Sequence, residues 1–318
     1  MANITLKIDG REVSVPSGAT VMDAARELGI EIPALCHDKN LPVVSACRLC
    51  IVEEGKSSKL QTSCSLLARD GMDVRTETER IVRYRRAILQ LLLDSHPNDC
   101  LTCGKAGECL LQKYAWRYGV RFREHEGARR SEHLDLSSPY ILKDDSKCIL
   151  CGKCVRVCYQ VEEERQVLAF AGRGYKTHIA ADDDRTLEES KCVSCNRCVA
   201  VCPVGALTDR RAAEKGRVWD LDREVKRCRV CDYGCSFEVL KRNGKGVAVK
   251  ALPAGPGRPL CLKGRLTTEL LNVETPDAPY RKLGGKFQKA PWSKVLGLQT
   301  LLDRLSKVDG GAETEKHS

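Results

Sequence analysis

The chain is 318 residues long, enough for two or three ordinary domains, and it carries 19 cysteines but only 5% aromatic residues. That composition excludes a large apolar core as the main source of cohesion. The basic excess, a formal charge of +10 at pH 7, raises a nucleic-acid reading. The opening MANITLKIDGREV shows no basic, apolar, small-residue succession, so no secretory signal is expected. The longest apolar runs, such as 87-AILQLLL-93, are far too short to span a bilayer. A cytoplasmic chain keeps its thiols reduced, and with an odd count the cysteines point to metal ahead of disulfides.

In chain order, residues 3–8 and 11–15 alternate as strands around Asp9-Gly10, a hairpin signal. A helix from about 20 to 28 follows, with Val21, Ala24, Ala25 and Leu28 on one face. Cys36, Cys47, Cys50 and Cys64 come next, spaced C-x10-C-x2-C-x13-C. Strand, turn, strand, helix and a cysteine loop predict a β-grasp 2Fe–2S ferredoxin domain over 1–75. Thr76 and Glu79 then read as a capping box opening a helix that runs to about 93. Ile81, Ile88 and Leu92 lie on its apolar side, and Arg80, Arg83 and Arg86 on a solvated face roughly opposite. Asp94-Ser95 leads into 96-HPNDCLTCGKAGEC-109, where Pro97 breaks the helix and turns the His96 imidazole inward. This helical segment with Cys100, Cys103 and Cys109 fills a domain over 76–140.

Two runs with C-x2-C-x2-C-x3-C spacing follow, 148-CILCGKCVRVC-158 and 192-CVSCNRCVAVCP-203. This is the bacterial two-cluster ferredoxin pattern, in which the fourth cysteine of each run ligates the other cluster. One 4Fe–4S site is therefore Cys148, Cys151, Cys154 and Cys202, and the other is Cys192, Cys195, Cys198 and Cys158, within a domain over 141–212. Triplet spacing of this kind does not suit a zinc ribbon. Two departures stand out. Tyr159 stands where the pattern has proline after the first run, and residues 159–191 separate the runs, predicting a hairpin or a helix between them. The last group, Cys228, Cys231, Cys235 and Cys261, would suit zinc by spacing alone. Its context, 237-FEVLKRNGKGVAVKAL-252, reads as two strands around an Asn243-Gly244 turn in a small cluster domain over 213–275. From Gly310 onward a disordered tail is expected.

Grouped in this way no cysteine is left over: four groups hold four thiols, and one, led by His96, holds three. Iron–sulfur clusters take four protein ligands as a rule, and an imidazole can replace a thiolate. A helix-end histidine is the bland alternative, but His96 is the ligand the count requires. A 2Fe–2S core or an all-cysteine 4Fe–4S core carries about −2 with its thiolates and the His96 site about −1. Full loading therefore brings +10 to about +1. The basic excess balances cluster charge, and the nucleic-acid reading loses its support. No Gly-rich nucleotide loop and no Ser/His/Asp or paired-carboxylate arrangement is visible, so no flavin, nucleotide or catalytic centre is expected on this chain.

These residues resemble the iron–sulfur subunit of respiratory complex I and its soluble relatives over roughly 3–275. The likeness rests on the Cys36/Cys47/Cys50/Cys64 spacing, HPNDCLTCGKAGECLLQ, CILCGKCVRVC and CVSCNRCVAVCPVGAL. In that family the histidine of the second motif ligates a cluster, which supports His96 independently. CRVCDYGC through LCLKG (228–264) is similar to the small cluster domain that opens molybdopterin oxidoreductases such as formate dehydrogenase. There a lysine after the last cysteine lies between cluster and pterin, and Lys263 matches it. The 57 residues after Cys261 are too few for a pterin or iron-only hydrogenase domain, and 291-PWSKVLGL-298 reads as the stub of one, leaving 276–318 as stub and tail.

The expected fold is therefore an α+β multidomain iron–sulfur protein with one 2Fe–2S and four 4Fe–4S clusters. Its parts are a β-grasp ferredoxin, a domain ligating through one histidine and three cysteines, a two-cluster ferredoxin and a molybdopterin-oxidoreductase-type domain. The resemblance implies an electron-transfer subunit between a flavin/NAD(P)-binding subunit and a separate catalytic subunit, beside a thioredoxin-like 2Fe–2S subunit. The preferred host is a soluble NAD(P)-linked nickel–iron hydrogenase, a type that includes ferredoxin-using, electron-bifurcating forms. The alternatives are an NAD(P)-dependent formate dehydrogenase, a complex I-like NADH dehydrogenase and, from another class, a zinc-binding scaffold.

Overall fold

The computed structural model describes residues 3–55, 57, 59–127, 132–161, 166–212, 215–252, 260–266 and 279–309. Alternating side chains make β1 (Asn3–Ile8) and β2 (Arg11–Pro16) an antiparallel hairpin in the register Ile8↔Arg11. Its two-residue turn requires positive φ at both positions, supplied by Asp9 (50°) and Gly10 (78°). Helix α1 (Val21–Glu27) starts at Thr20, whose hydroxyl accepts from the Asp23 N–H while the Asp23 carboxylate accepts from the Thr20 N–H. Buried Val21, Ala24 and Ala25 pack against Leu6, Ile8 and Val15, and Leu28 is only half-buried at the helix end. Strands β3 (Ile51–Glu54), β4 (Leu60–Thr62) and β5 (Asp73–Arg75) complete a sheet ordered β2-β1-β5-β3-β4, with β1 and β5 parallel. This is the β-grasp arrangement expected.

Helix α2 (Glu79–Asp94) corrects the capping-box reading. Its cap is Thr78, whose hydroxyl accepts from the Ile81 N–H at 3.3 Å. Thr76 is buried and otherwise engaged: its N–H and hydroxyl both donate to the Asp9 carboxylate, at 2.7 and 2.6 Å, closing β5 onto the first hairpin turn. The buried stripe is also displaced from the one expected. It runs Ile81, Arg85, Leu89, Leu93, with Ile88 and Leu92 half-buried beside it. Arg80 pairs with Glu53, and Arg86 donates to the Tyr118 carbonyl, so two of the three arginines assigned to a solvated face are engaged.

Helix α3 (Leu110–Arg117) buries Leu111, Tyr114 and Ala115 against α2. Strands β6 (Leu134–Asp135) and β7 (Ile141–Asp144) pair with each other, and helix α4 (Lys153–Val161) carries the second half of the first ferredoxin run. The segment between the runs extends α4 and then forms a hairpin, β8 (Leu168–Ala171) with β9 (His178–Ala181). Helix α5 (Arg197–Val201) carries the second run, and β10 (Leu207–Asp209) returns to pair with β7. One apolar core joins this region to α2 and α3, and it also takes in Leu35, Leu41 and Leu49 from the first cysteine loop. Strands β11 (Asp222–Arg227), β12 (Ser236–Arg242) and β13 (Lys245–Ala251) form an antiparallel sheet whose last turn uses Asn243 and Gly244 at positive φ. The short α6 (Leu262–Arg265) follows Cys261.

Residues 1–271 form one compact unit and 272–318 another. The second holds a hairpin, β14 (Tyr280–Leu283) with β15 (Lys286–Lys289), then helices Trp292–Val295 and Gln299–Asp309. The segment expected to be a stub thus has secondary structure of its own over 280–309. Gly284-Gly285 is a hairpin turn, and Leu298, Leu301, Leu302 and Leu305 recur at helical spacing. The tail expected from Gly310 lies outside the described residues. Among the described residues no helix is long and apolar enough to cross a membrane.

Candidate metal centres

The first cysteine loop is bent by Ser45 and Arg48, both at positive φ (50° and 55°), so that backbone N–H groups face sulfur. The Cys47 N–H donates to Cys36 Sγ and the Leu35 N–H to Cys47 Sγ, each at 3.4 Å. Cys50 Sγ and Cys64 Sγ lie 3.4 Å apart, and Ser45 Oγ is 3.3 Å from Cys64 Sγ. The four thiols act on one another in two pairs, Cys36 with Cys47 and Cys50 with Cys64. Hydrogen bonding from Cys36 lowers Cys47 and that from Cys50 lowers Cys64, while the same bonds and burial push Cys36 and Cys50 up. Four sulfurs so placed can all be thiolates only with positive charge among them. That donor chemistry fits an iron–sulfur core.

His96 follows the cap of α2 at Ser95 and is 7% exposed. Its Nε2 is buried with no hydrogen-bond partner, an arrangement a neutral ring tolerates when that nitrogen is reserved for a metal. Burial lowers its pKa, with Asp99 and Lys147 the main charges acting on it; both also act on Cys100. Burial, followed by the neighbouring Cys103, raises Cys100. Burial also pushes Cys109 up to about 11 with Cys103 and Cys100 contributing, so the three thiols share one neighbourhood. Gly205, two residues past the second ferredoxin run, closes this site. A Cβ there would stand 2.5 Å from Cys103 Sγ.

The two ferredoxin runs build matched loops. Leu150 and Gly152 in the first, and Ser194 and Asn196 at the same offsets in the second, all take positive φ. In each, the N–H two residues after the first cysteine donates to that cysteine's sulfur at 3.4 Å, Leu150 to Cys148 and Ser194 to Cys192. Cys148, Cys151, Cys154 and Cys202 line one cavity; Cys158, Cys192, Cys195 and Cys198 line another. Both therefore gather three cysteines of one run and the fourth of the other. Burial, then Cys202, pushes Cys151 up to about 12, and Cys195 and Cys192 act with burial on Cys198.

In the last group Cys228 is buried with Phe237, Val239, Val249 and Leu260, and its N–H donates to the Cys235 carbonyl at 2.7 Å. Burial raises Cys235, followed by the influence of Cys228, with Cys231 and Cys261 also acting on it. Lys263 is exposed. Two residues on, Arg265 is 3% exposed and reaches into the neighbouring ferredoxin site: it donates to the Ser194 carbonyl at 2.7 Å and to the Asp209 carboxylate at 2.8 Å. Glu108, beside Cys109, pairs with Arg223 and Lys250 of the last sheet. Among the described residues no three His, Cys, Asp or Glu side chains meet closely enough to hold a single metal ion.

Comparison with known proteins agrees with this layout. Residues 1–79 match a 2Fe–2S iron–sulfur cluster binding domain, 85–124 the NADH-ubiquinone oxidoreductase-G iron–sulfur binding region, and 147–206 a 4Fe–4S dicluster domain. The chain is 37% identical to the second NADH-quinone oxidoreductase G-type subunit of Rhizobium meliloti over 317 residues, covering 97% of this chain and 36% of that protein. It is 40% identical to NADP-reducing hydrogenase subunit HndD of Solidesulfovibrio fructosivorans over 260 residues, covering 80% of this chain and 41% of that one. A chain in the crystal structure of NAD+-reducing [NiFe]-hydrogenase in the H2-reduced state aligns at 32% identity with a TM-score of 0.63, covering 68% of this chain and 92% of that chain. This chain belongs to the family of iron–sulfur subunits related to the G-type subunit of NADH-quinone oxidoreductase and to NAD-reducing hydrogenase. It spans less than half the length of the curated relatives it matches. Its family members are oxidoreductase subunits, and 2Fe–2S and 4Fe–4S cluster domains are present. The Cys228–Cys261 group lies beyond the three matched domains.

Sequence reasoning missed Arg85, which is fully buried behind the first site. It donates to the carbonyls of Leu49 (3.1 Å) and Ile51 (2.9 Å), to Glu77 (3.0 Å) and to the Tyr118 hydroxyl (2.8 Å). A guanidinium is buried only when its donors are satisfied, and these partners satisfy it. It also missed Gly205 and Arg265. A signal existed for Arg85 alone, at the i+4 position between Ile81 and Leu89 on the buried stripe.

Proposed function

We propose that this chain is a multi-cluster electron-transfer subunit, with one 2Fe–2S and four 4Fe–4S clusters, that joins a flavin/NAD(P)-binding subunit to a separate catalytic subunit. The observation that carries the reading is the gathering of Cys36, Cys47, Cys50 and Cys64, of His96 with Cys100, Cys103 and Cys109, and of both crossed ferredoxin sets within one compact unit. The Cys228, Cys231, Cys235 and Cys261 group adds the fifth site. Bound there, the clusters supply one-electron carriers whose potentials follow from ligand type, N–H···S bonds and burial. The residues do the rest: they bind, exclude water and fix spacing.

The preferred host is an NAD(P)-linked nickel–iron hydrogenase, with a thioredoxin-like 2Fe–2S subunit and, in a bifurcating form, ferredoxin as further partners. Support comes from the hydrogenase chain aligned over 92% of its length and from the NADP-reducing hydrogenase relative. Likeness to the G-type subunit of NADH-quinone oxidoreductase favours a complex I-like dehydrogenase as the second reading. Lys263, exposed beside the fifth site, is proposed to lie toward the catalytic partner's cofactor. Affinity purification of the native complex under anaerobic conditions, with metal analysis, tests the host. Stoichiometric nickel is expected. Molybdenum or tungsten without nickel would move the assignment to a formate dehydrogenase, and a quinone-reducing complex without any of the three would move it to the second reading.

A further inference from the structure

Helix α4 carries Cys154 and Cys158, one cysteine of each ferredoxin site, and turns another face to the first cysteine loop. Lys153, Arg156 and Gln160 recur on that face at i, i+3 and i+7. Lys153 Nζ lies 3.5 Å from Asp38 Oδ2, and Gln160 Nε2 donates to the Asn40 carbonyl at 2.9 Å. Between them Arg156 spends its whole guanidinium on carbonyls. Nε donates to Gly152 at 3.2 Å, Nη1 to Pro42, and Nη2 to both Cys36 (2.7 Å) and Cys151 (3.2 Å). A single nitrogen thus bonds the backbone of a cysteine in the first site and of a cysteine in the neighbouring ferredoxin site.

We propose that Arg156 is the positioning residue that fixes the separation between the Cys36/Cys47/Cys50/Cys64 site and the Cys148/Cys151/Cys154/Cys202 site. The inference rests on the proposed cluster reading. The planar fork suits the task because its donors diverge in fixed directions and clamp several carbonyls at once; a lysine ammonium is a point charge on a flexible stem. The neighbouring contacts of Lys153 and Gln160 hold the loop less rigidly, since each supplies one bond. Electron passage between two sites weakens steeply with their separation, so a loop free to drift slows it.

The test uses the full-length chain, prepared anaerobically and reduced, as wild type, Arg156→Lys and Arg156→Gln. Three quantities are read: iron per chain, amide hydrogen exchange over 37–44, and the magnetic broadening of the 2Fe–2S EPR signal by its 4Fe–4S neighbour. Both variants are expected to keep their iron. Exchange over 37–44 should rise about tenfold in Arg156→Gln and less in Arg156→Lys, with the broadening reduced in the same order. Unchanged broadening in an iron-replete Arg156→Gln overturns the role, even where exchange rises. If Arg156→Gln loses iron, Arg156→Lys decides by the same criterion, and loss of iron in both overturns it by assigning Arg156 to assembly of the sites. A wild-type chain lacking either cluster signal would overturn the cluster reading itself, an outcome distinct from an unaffected variant.

Discussion

Two buried polar side chains, His96 and Arg85, behave in opposite ways. His96 keeps a buried nitrogen without a partner, whereas Arg85 donates to four groups, each within 3.1 Å. His96→Ala should therefore remove one cluster, about four irons per chain, and leave the others in place. His96→Cys should retain the cluster at a lower potential, because a thiolate adds one negative charge; iron analysis with a redox-titrated EPR spectrum checks both. Arg85→Met should keep every ligand yet cost about 3 kcal/mol, since it strands the Leu49 and Ile51 carbonyls, while Glu77 keeps Arg117 and the Tyr118 hydroxyl. Chemical denaturation followed by 2Fe–2S absorbance measures that cost. The sequence singles out His96 because a ligand deficit can be counted, and its buried, unpartnered Nε2 suits that proposed role. Arg85 was legible only by its place between Ile81 and Leu89; its partners lie 8 to 36 residues away, and only the folded chain brings them together.

Among the elements, helix α2 separates pattern from structure. Thr76-x-x-Glu79 has the form of a capping box, but Asp9 takes the Thr76 donors first, and Thr78 caps the helix. Thr78→Ala should cost about 1 kcal/mol, the usual loss of a cap, and Thr76→Ala should cost more because a buried side chain loses both its bond to the Asp9 carboxylate and its packing. Equal losses in thermal unfolding would contradict this ordering. The β8–β9 hairpin offers a pH test away from the cysteines. The His178 pKa is raised by its bond to the Lys176 carbonyl and by Asp184, so the stabilisation is full below its ordinary value near 6.5 and is lost as pH rises through the folded value. Amide exchange in the hairpin, corrected for intrinsic rates, should show less protection at pH 8 than at pH 5.5. The hairpins at Asp9-Gly10 and Asn243-Gly244 were legible because their turns demand particular residues. The helix Gln299–Asp309 carries a legible leucine spacing too, but likeness to the start of a larger domain pointed away from it.

For the whole molecule, cohesion depends on cross-links that sequence spacing only outlines. The crossed sets tie residues 148–158 to 192–202, Gly205 abuts Cys103, and Arg265 and Glu108 pin the last sheet and the helix after it to two different sites. Cysteine spacing outlines the proposed sites, whereas these long-range contacts depend on packing and left no periodic trace. Iron removal should consequently cost the chain its cooperative melt, because ligand bonds supply folding energy that the sparse aromatic core does not. The most direct test of the account is iron analysis combined with redox-titrated EPR on the anaerobically prepared full-length chain. It predicts about 18 irons, one 2Fe–2S signal and 4Fe–4S signals that disappear set by set when the corresponding cysteines become serine. A colourless, cooperatively folded protein that carries zinc and no iron would contradict it.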